Sequence, residues 1–326
     1  MEGIFLSCIS LHFPGWAVFS VKMKTNLLFF LVFLHGAALH AKSLQLKAVY
    51  GSDKRQDYFE VSDPFLKNLM DATALMVSSG SRQKLENEEV VLNTQVYGQS
   101  NDLCQEERYW SQPAVIKHFL FFHYPNCSAF LVAPDLMVTA GHCLITSFCS
   151  DTSFVFGYRM KSETEVRLYF PADDVYPCKE VVMMNFPLGD GPDYALVRLD
   201  RAVLGREPIR LAQGPAQVGE RVSMIGYPMG LPVKLDQGAA VRFAQGGKFV
   251  AEVSAFQGNS GSVIYRKETG EALGILRGGE DDFVDDSLQN CRRTKVCGEG
   301  KCMGETATDI SYLQKTIYEL NKGDRK

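Results

Sequence analysis

Between residues 119 and 276 the chain alternates short apolar runs with Gly, Pro, Asn and Asp. The runs cover residues 119–123, 128–132, 137–140, 154–158, 166–170, 181–184, 194–199, 222–226, 238–243, 249–253, 262–265 and 272–276. Many short β-rich runs with turn residues between them predict an all-β sandwich or barrel. Upstream the pattern is mixed. Residues 48–51 and 58–61 read as short strands. Asp63-Pro64 opens a predicted helix with Phe65, Leu66, Leu69 and Met70 on one face. Residues 74–77 read as a strand or as a continuation of that helix, and 78–112 as mostly polar loop. At the far end Ile310, Leu313, Ile317 and Leu320 recur at helical spacing and predict an amphipathic C-terminal helix packed on the body.

With 326 residues the chain can bury a large core, as one large domain or two packed halves. A net charge of -4, with no long runs of Lys and Arg, gives no nucleic-acid surface. Residues 1–41 read as a secretory leader. Lys22-Met23-Lys24 is its basic lead, residues 27–34 its apolar run, and the small residues from Gly36 to Ala41 offer a cleavage site. The residues before Met23 match no part of a signal, so translation is expected to start there. The apolar run falls well short of the ~18 residues of a membrane span, which disfavours the alternative of an uncleaved anchor. No stable membrane insertion is expected after cleavage. Residues 42–112 form an N-terminal segment, either part of the catalytic domain or a pro-segment, and residues 113–326 the main domain. Beyond Cys8 in the leader, Cys104, Cys127, Cys143, Cys149, Cys178, Cys291, Cys297 and Cys302 form an even set, as in exported, disulfide-bonded proteins. A zinc site is the weaker reading. No pair has CxxC spacing, and only His118, His123 and His142 remain as imidazole ligands. No metal or other cofactor is expected.

The stretch Phe256-Gln257-Gly258-Asn259-Ser260-Gly261-Ser262 places one serine between glycines in a tight turn. A serine is a poor nucleophile unless a base takes its proton, so a histidine and an acid must lie elsewhere. Val138-Thr139-Ala140-Gly141-His142-Cys143 supplies a histidine, and Asp193-Tyr194-Ala195-Leu196-Val197-Arg198-Leu199 an acid. Taken singly, a core histidine and a turn aspartate are the ordinary readings. Together, in the order His, Asp, Ser, the three segments resemble the trypsin/chymotrypsin superfamily of serine endopeptidases over residues 115–285. That resemblance implies two packed six-stranded antiparallel β-barrels with His142, Asp193 and Ser260 in the cleft between them. It implies a nucleophile at Ser260, a general base at His142 oriented by Asp193, and an oxyanion hole from the N–H groups of Gly258 and Ser260. It also implies a bridge between Cys127 and Cys143. The other six cysteines leave 15 connectivities open, among which proximity favours Cys149 with Cys178. Cys291, Cys297 and Cys302 are expected to pin the C-terminal region, one of them reaching Cys104.

The departures from the animal enzymes resemble the bacterial branch that includes the glutamyl endopeptidases. Asn259 stands where the animal enzymes carry the aspartate that pairs with a new terminal ammonium, and Phe256 where they carry a cysteine. Residues 49–55 resemble the mature N-terminus of the bacterial proteins. Ser254, by its distance before Ser260, falls at the base of the primary pocket. A serine there, without a carboxylate, argues against a preference for Lys or Arg. Arg277 either binds an acidic substrate side chain or points to solvent, and the backbone from Arg277 through Gly278 to Gly279 is expected to pair with an extended substrate. Glu280-Asp281-Asp282 with Asp285-Asp286 read as a solvated acidic loop rather than a calcium site. The expected function is a secreted or periplasmic serine endopeptidase, a monomer acting on polypeptides. The alternative is a protease-like binding protein without activity. An esterase is disfavoured because Ser262 breaks the G-x-S-x-G pattern.

Overall fold

Strands form where apolar runs can be covered on both faces, and Cys127–Ala133 and Leu136–Thr139 are buried at every position. In this computed structural model residues 48–115, 126–145, 148–187, 189–298 and 301–323 are described. By packing, the chain divides into Met1–Leu44 and Gln45–Lys326, and every described residue lies in the second unit. The expected leader, His118, His123 and the strand at 119–123 lie outside the described residues.

Six strands close the first barrel: β1 (Thr73–Ser78), β2 (Cys127–Ala133), β3 (Leu136–Thr139), β4 (Thr152–Phe156), β5 (Val175–Asn185) and β6 (Tyr194–Leu199). Their order around it is β4-β5-β6-β3-β2-β1, and every pairing is antiparallel. The second comprises β7 (Arg221–Gly226), β8 (Lys234–Gln245), β9 (Lys248–Ala251), β10 (Val263–Arg266), β11 (Ala272–Gly278) and β12 (Glu305–Asp309). Its order is β7-β10-β11-β12-β9-β8, closed by pairing of β7 with β8. The all-β expectation, with two six-stranded barrels, holds. The C-terminal helix Ser311–Gly323 also forms, with Ile310, Leu313 and Ile317 buried in the same cluster as the first barrel's core. Among the described residues no helix is long and apolar enough to cross a membrane.

Other expectations change. Residues 58–61 do not extend. Tyr58–Glu60 is a 3-10 turn, because the Asp57 N–H donates to Glu60 Oε2 at 2.7 Å and closes the chain on itself. The run at 166–170 shortens to a strand at Tyr169–Phe170. The polar stretch 78–112 contains small strands at Arg82–Lys84, Val90–Leu92 and Thr94–Val96. The acidic cluster is not simply solvated. Glu280 and Asp282 are buried; Glu280 pairs with Lys295 at 2.8 Å, and Asp282 Oδ2 accepts the Gln257 N–H at 3.0 Å.

The segment before the first barrel is tied into the body. Residues Gln56–Asp57 add to the edge of β8. The buried Lys234 ammonium pairs with Asp57 and donates to Gln112 Oε1 at 2.7 Å. Burial pulls the Lys234 ammonium down to about 8, against the upward pull of Asp57.

Four disulfides join Cys104 to Cys291, Cys127 to Cys143, Cys149 to Cys178 and Cys297 to Cys302. The first spans 187 residues and fastens the N-terminal segment to the loops beyond β11. Chain entropy assigns a bridge of such span about 5 kcal/mol. Replacing Cys104 and Cys291 together with serine is expected to lower the melting temperature by about 10 °C in a thermal scan.

Candidate active site

His142 follows the end of β3, in the helical turn Gly141–Ile145, and the bridge from Cys143 to Cys127 ties that turn back to the start of β2. Asp193 precedes β6 and is 0% exposed. Its two oxygens grip the histidine at separate points. Oδ2 lies 2.6 Å from the ring Nδ1, and Oδ1 accepts the His142 backbone N–H at 3.0 Å. A carboxylate facing Nδ1 selects the tautomer with the proton there and the lone pair on Nε2. The Asp193 N–H donates to Thr308 Oγ1 on β12 at 2.9 Å, so the second barrel orients this acid of the first.

Ser260 is 3% exposed, in the turn between β9 and β10. Gly258 and Gly261 both have positive φ, at 88° and 85°. A Cβ on Gly261 would lie 2.1 Å from the Ser128 carbonyl oxygen and 2.3 Å from Thr139 Oγ1. This turn is pressed onto the first barrel. The Ser128 N–H donates to the Ser260 carbonyl at 2.8 Å, and its hydroxyl donates to the Gly258 carbonyl at 2.8 Å. The Ser128 hydroxyl also accepts the Tyr227 N–H at 2.9 Å. The Ser260 carbonyl oxygen lies 3.8 Å from Cys143 Sγ, beside His142, so the predicted serine and histidine segments meet. Asn259 stays inside its own turn, where Oδ1 accepts the Ser262 hydroxyl at 3.1 Å. Phe256 packs on Phe283, with ring centroids 5.3 Å apart, and the buried Arg55 guanidinium lies 4.0 Å over its ring. Phe256 is thus held in an aromatic and cationic cluster.

Ser254, Arg277 and Gly278 each have defined surroundings in the fold. A carboxylate does reach Ser254: Asp236 Oδ2 on β8 accepts its N–H at 2.9 Å. The Ser254 hydroxyl accepts the Tyr50 N–H at 3.2 Å. Asp236 is 4% exposed, and burial pushes its carboxyl up to about 7, partly opposed by the bond from the Ser254 N–H. Arg277 is half-buried beside the Asp193 loop. Its side chain is 14% exposed, and Nε lies 3.7 Å from Asp193 Oδ2. Gly278, half-buried at the end of β11, pairs with Thr306 on one side. Cys127, His142 and Cys143 lie within metal-binding distance of one another, but both sulfurs are consumed in a disulfide and offer no thiolate. Sequence patterns missed Ser128, Thr308 and Asp236. Ser128 and Thr308 are ordinary strand residues by type, and Asp236 differs from a surface aspartate only by its place inside a strand.

Residues 127–275 match the family model of the trypsin-like peptidase domain. No curated protein matches the sequence. Among solved structures, a Glu endopeptidase in complex with MPD is 14% identical, with 84% of this chain and 99% of that one covered at a TM-score of 0.50. An M. tuberculosis protease in its inactive form is 15% identical, covering 83% and 98% at a TM-score of 0.45. A scabies mite inactivated protease paralogue is 14% identical, covering 78% and 96% at a TM-score of 0.47. At these identities the likeness is one of fold.

Two outcomes follow from this packing. Gly261→Ala is expected to cost about 3 kcal/mol or more, because its Cβ meets backbone and its φ is positive; urea unfolding measures it. The raised carboxyl of Asp236 binds its proton more tightly in the folded chain than in the unfolded one. Its contribution to stability is therefore full below the ordinary value of 3.8 and is lost as pH rises to about 7. Asp236→Asn removes this dependence and keeps an oxygen for the Ser254 N–H. Its melting temperature relative to the parent is expected to climb steadily between those two pH values.

Proposed function

We propose that this chain, a member of the trypsin/chymotrypsin superfamily of serine peptidases, is an exported serine endopeptidase that cleaves polypeptides through an acyl-enzyme on Ser260. The observation that carries the reading is the two-point grip of Asp193 on His142, at 2.6 Å on the ring and 3.0 Å on the backbone, beside the Ser260 turn. A merely structural histidine does not need its tautomer and its backbone fixed by one fully buried carboxylate.

In this mechanism His142 Nε2 takes the Ser260 proton as Oγ attacks the scissile carbonyl, and returns it to the leaving amine. Asp193 keeps Nδ1 protonated and stabilises the imidazolium. The N–H groups of Gly258 and Ser260 receive the oxyanion. Donors of this kind are worth about 3–4 kcal/mol each in the transition state. The positive φ of Gly258 supports this, since a side chain there would strike the backbone of Asn126, Tyr227 and Met229. An extended substrate adds along Gly278, and Ser254 lines the base of the primary pocket. The enzyme acts as a monomer. Residues from Ala48 onward belong to the catalytic domain, a reading supported by the Ala255 N–H bond to the Ala48 carbonyl, by Gln56–Asp57 on the edge of β8 and by β1 in the first barrel. Export is supported by the four disulfides, which persist in oxidising compartments.

A fluorophosphonate probe applied beside Ser260→Ala tests the assignment, followed by mass spectrometry of cuts in a mixed peptide library. Labelling and cutting by the parent are expected, with turnover about a million-fold lower in Ser260→Ala and in His142→Ala. Well-folded protein that neither labels nor cuts would move the reading to an inactive binding protein.

A further inference from the structure

β11 and β12 lose register between Leu276 and Gly278, so Arg277 sits in a β-bulge. A bulge re-aims the side chain it carries, and here the guanidinium turns across the Asp193 loop. Nε lies 3.7 Å from Asp193 Oδ2, the same oxygen that faces the His142 ring. Nη2 donates to the Gly189 carbonyl at 2.5 Å and Nη1 to the Gly191 carbonyl at 3.4 Å. The carbonyl of Arg277 itself lies 3.4 Å from Ser260 Oγ. One residue therefore meets the acid and its loop through the side chain, and the nucleophile through the backbone.

We infer that Arg277 is a positioning residue: its guanidinium fastens the turn at 189–191 and the Asp193 carboxylate in the orientation that His142 requires. The inference rests on the peptidase reading of the site. Gly189 and Gly191 give this turn little stiffness of its own. The planar fork of an arginine spreads its donors in a fixed geometry over two carbonyls and a carboxylate, whereas an ammonium is a compact point charge with rotatable donors. The side chain is 14% exposed, and both of its terminal nitrogens donate to carbonyls of the 189–191 turn. Its positive charge also opposes the imidazolium that forms on His142. The benefit it supplies is therefore geometric rather than electrostatic.

The test uses the exported chain with its cysteines oxidised and compares Arg277→Met, Arg277→Lys and Ser260→Ala. Fluorophosphonate labelling rate, kcat and KM on the best peptide of the library, and melting temperature are recorded, with rates normalised to folded protein. Arg277→Met is expected to lose about 10- to 100-fold in kcat and in labelling rate, with KM within about twofold of the parent. Arg277→Lys should recover part of that loss, because an ammonium can hold one of the carbonyls. Should Arg277→Met fail to fold, the lysine variant carries the test through a smaller fall in kcat at constant KM. A rise in KM with kcat unchanged would reassign Arg277 to substrate binding, and unchanged kinetics in both variants would remove it from the site. Either result leaves the peptidase reading intact. A parent that neither labels nor cuts overturns both.

Discussion

The hold of Ser128 on the Ser260 turn is the contact on which the site depends. Ser128 belongs to β2 of the first barrel, yet its N–H and hydroxyl bond the carbonyls of Ser260 and Gly258 beyond β9. Each bond contributes only about 1 kcal/mol net. Their importance is positional. The same strand begins at Cys127, whose bridge reaches the residue after His142. One strand end thus sets both the serine turn and the histidine turn, and Gly261 makes room for the approach. Thr308 supplies the reciprocal contact from β12 to Asp193. Each barrel orients a group carried by the other, so the spacing of the site follows from how the barrels pack.

A second layer supports the wall before Ser260. Val49, Tyr97, Leu103, Tyr109, Ala114, Leu231, Phe256 and Phe283 form a separate apolar cluster. Arg55 enters it with its guanidinium on the Phe256 ring and its charge met by Asp53 at 2.6 Å. Close by, Lys234 and Asp57 form a buried pair with Gln112. Such pairs add little net stability against their desolvation, but they tolerate few alternative arrangements. The N-terminal segment is therefore held in one register against β8 and the serine turn.

Much of this was legible along the chain. The apolar runs marked most barrel strands, Asp63-Pro64 marked a helix start, and the Ile310 to Leu320 spacing marked the last helix. The three short segments around His142, Asp193 and Ser260 carried the candidate chemistry. β12 was missed because Glu305, Thr306, Thr308 and Asp309 break its apolar pattern. The buried polar side chains Glu305, Thr308 and Asp309 are bonded to backbone elsewhere in the fold. Residues 78–112 read as loop because their short strands join only two- and three-stranded sheets outside the barrels.

By itself the sequence determined the residue types at the candidate site, the all-β class and an even set of cysteines suited to bridges. These are local properties, carried by neighbours in the chain. Only the tertiary structure decided that Arg277 turns onto Asp193, that Asp236 lies against Ser254, and that Arg55 covers Phe256. Each of those contacts joins residues that are far apart in sequence or separated by a strand crossing. Barrel closure and one bulge determine which side chains face each other, and neither is written in the periodicity of any single strand.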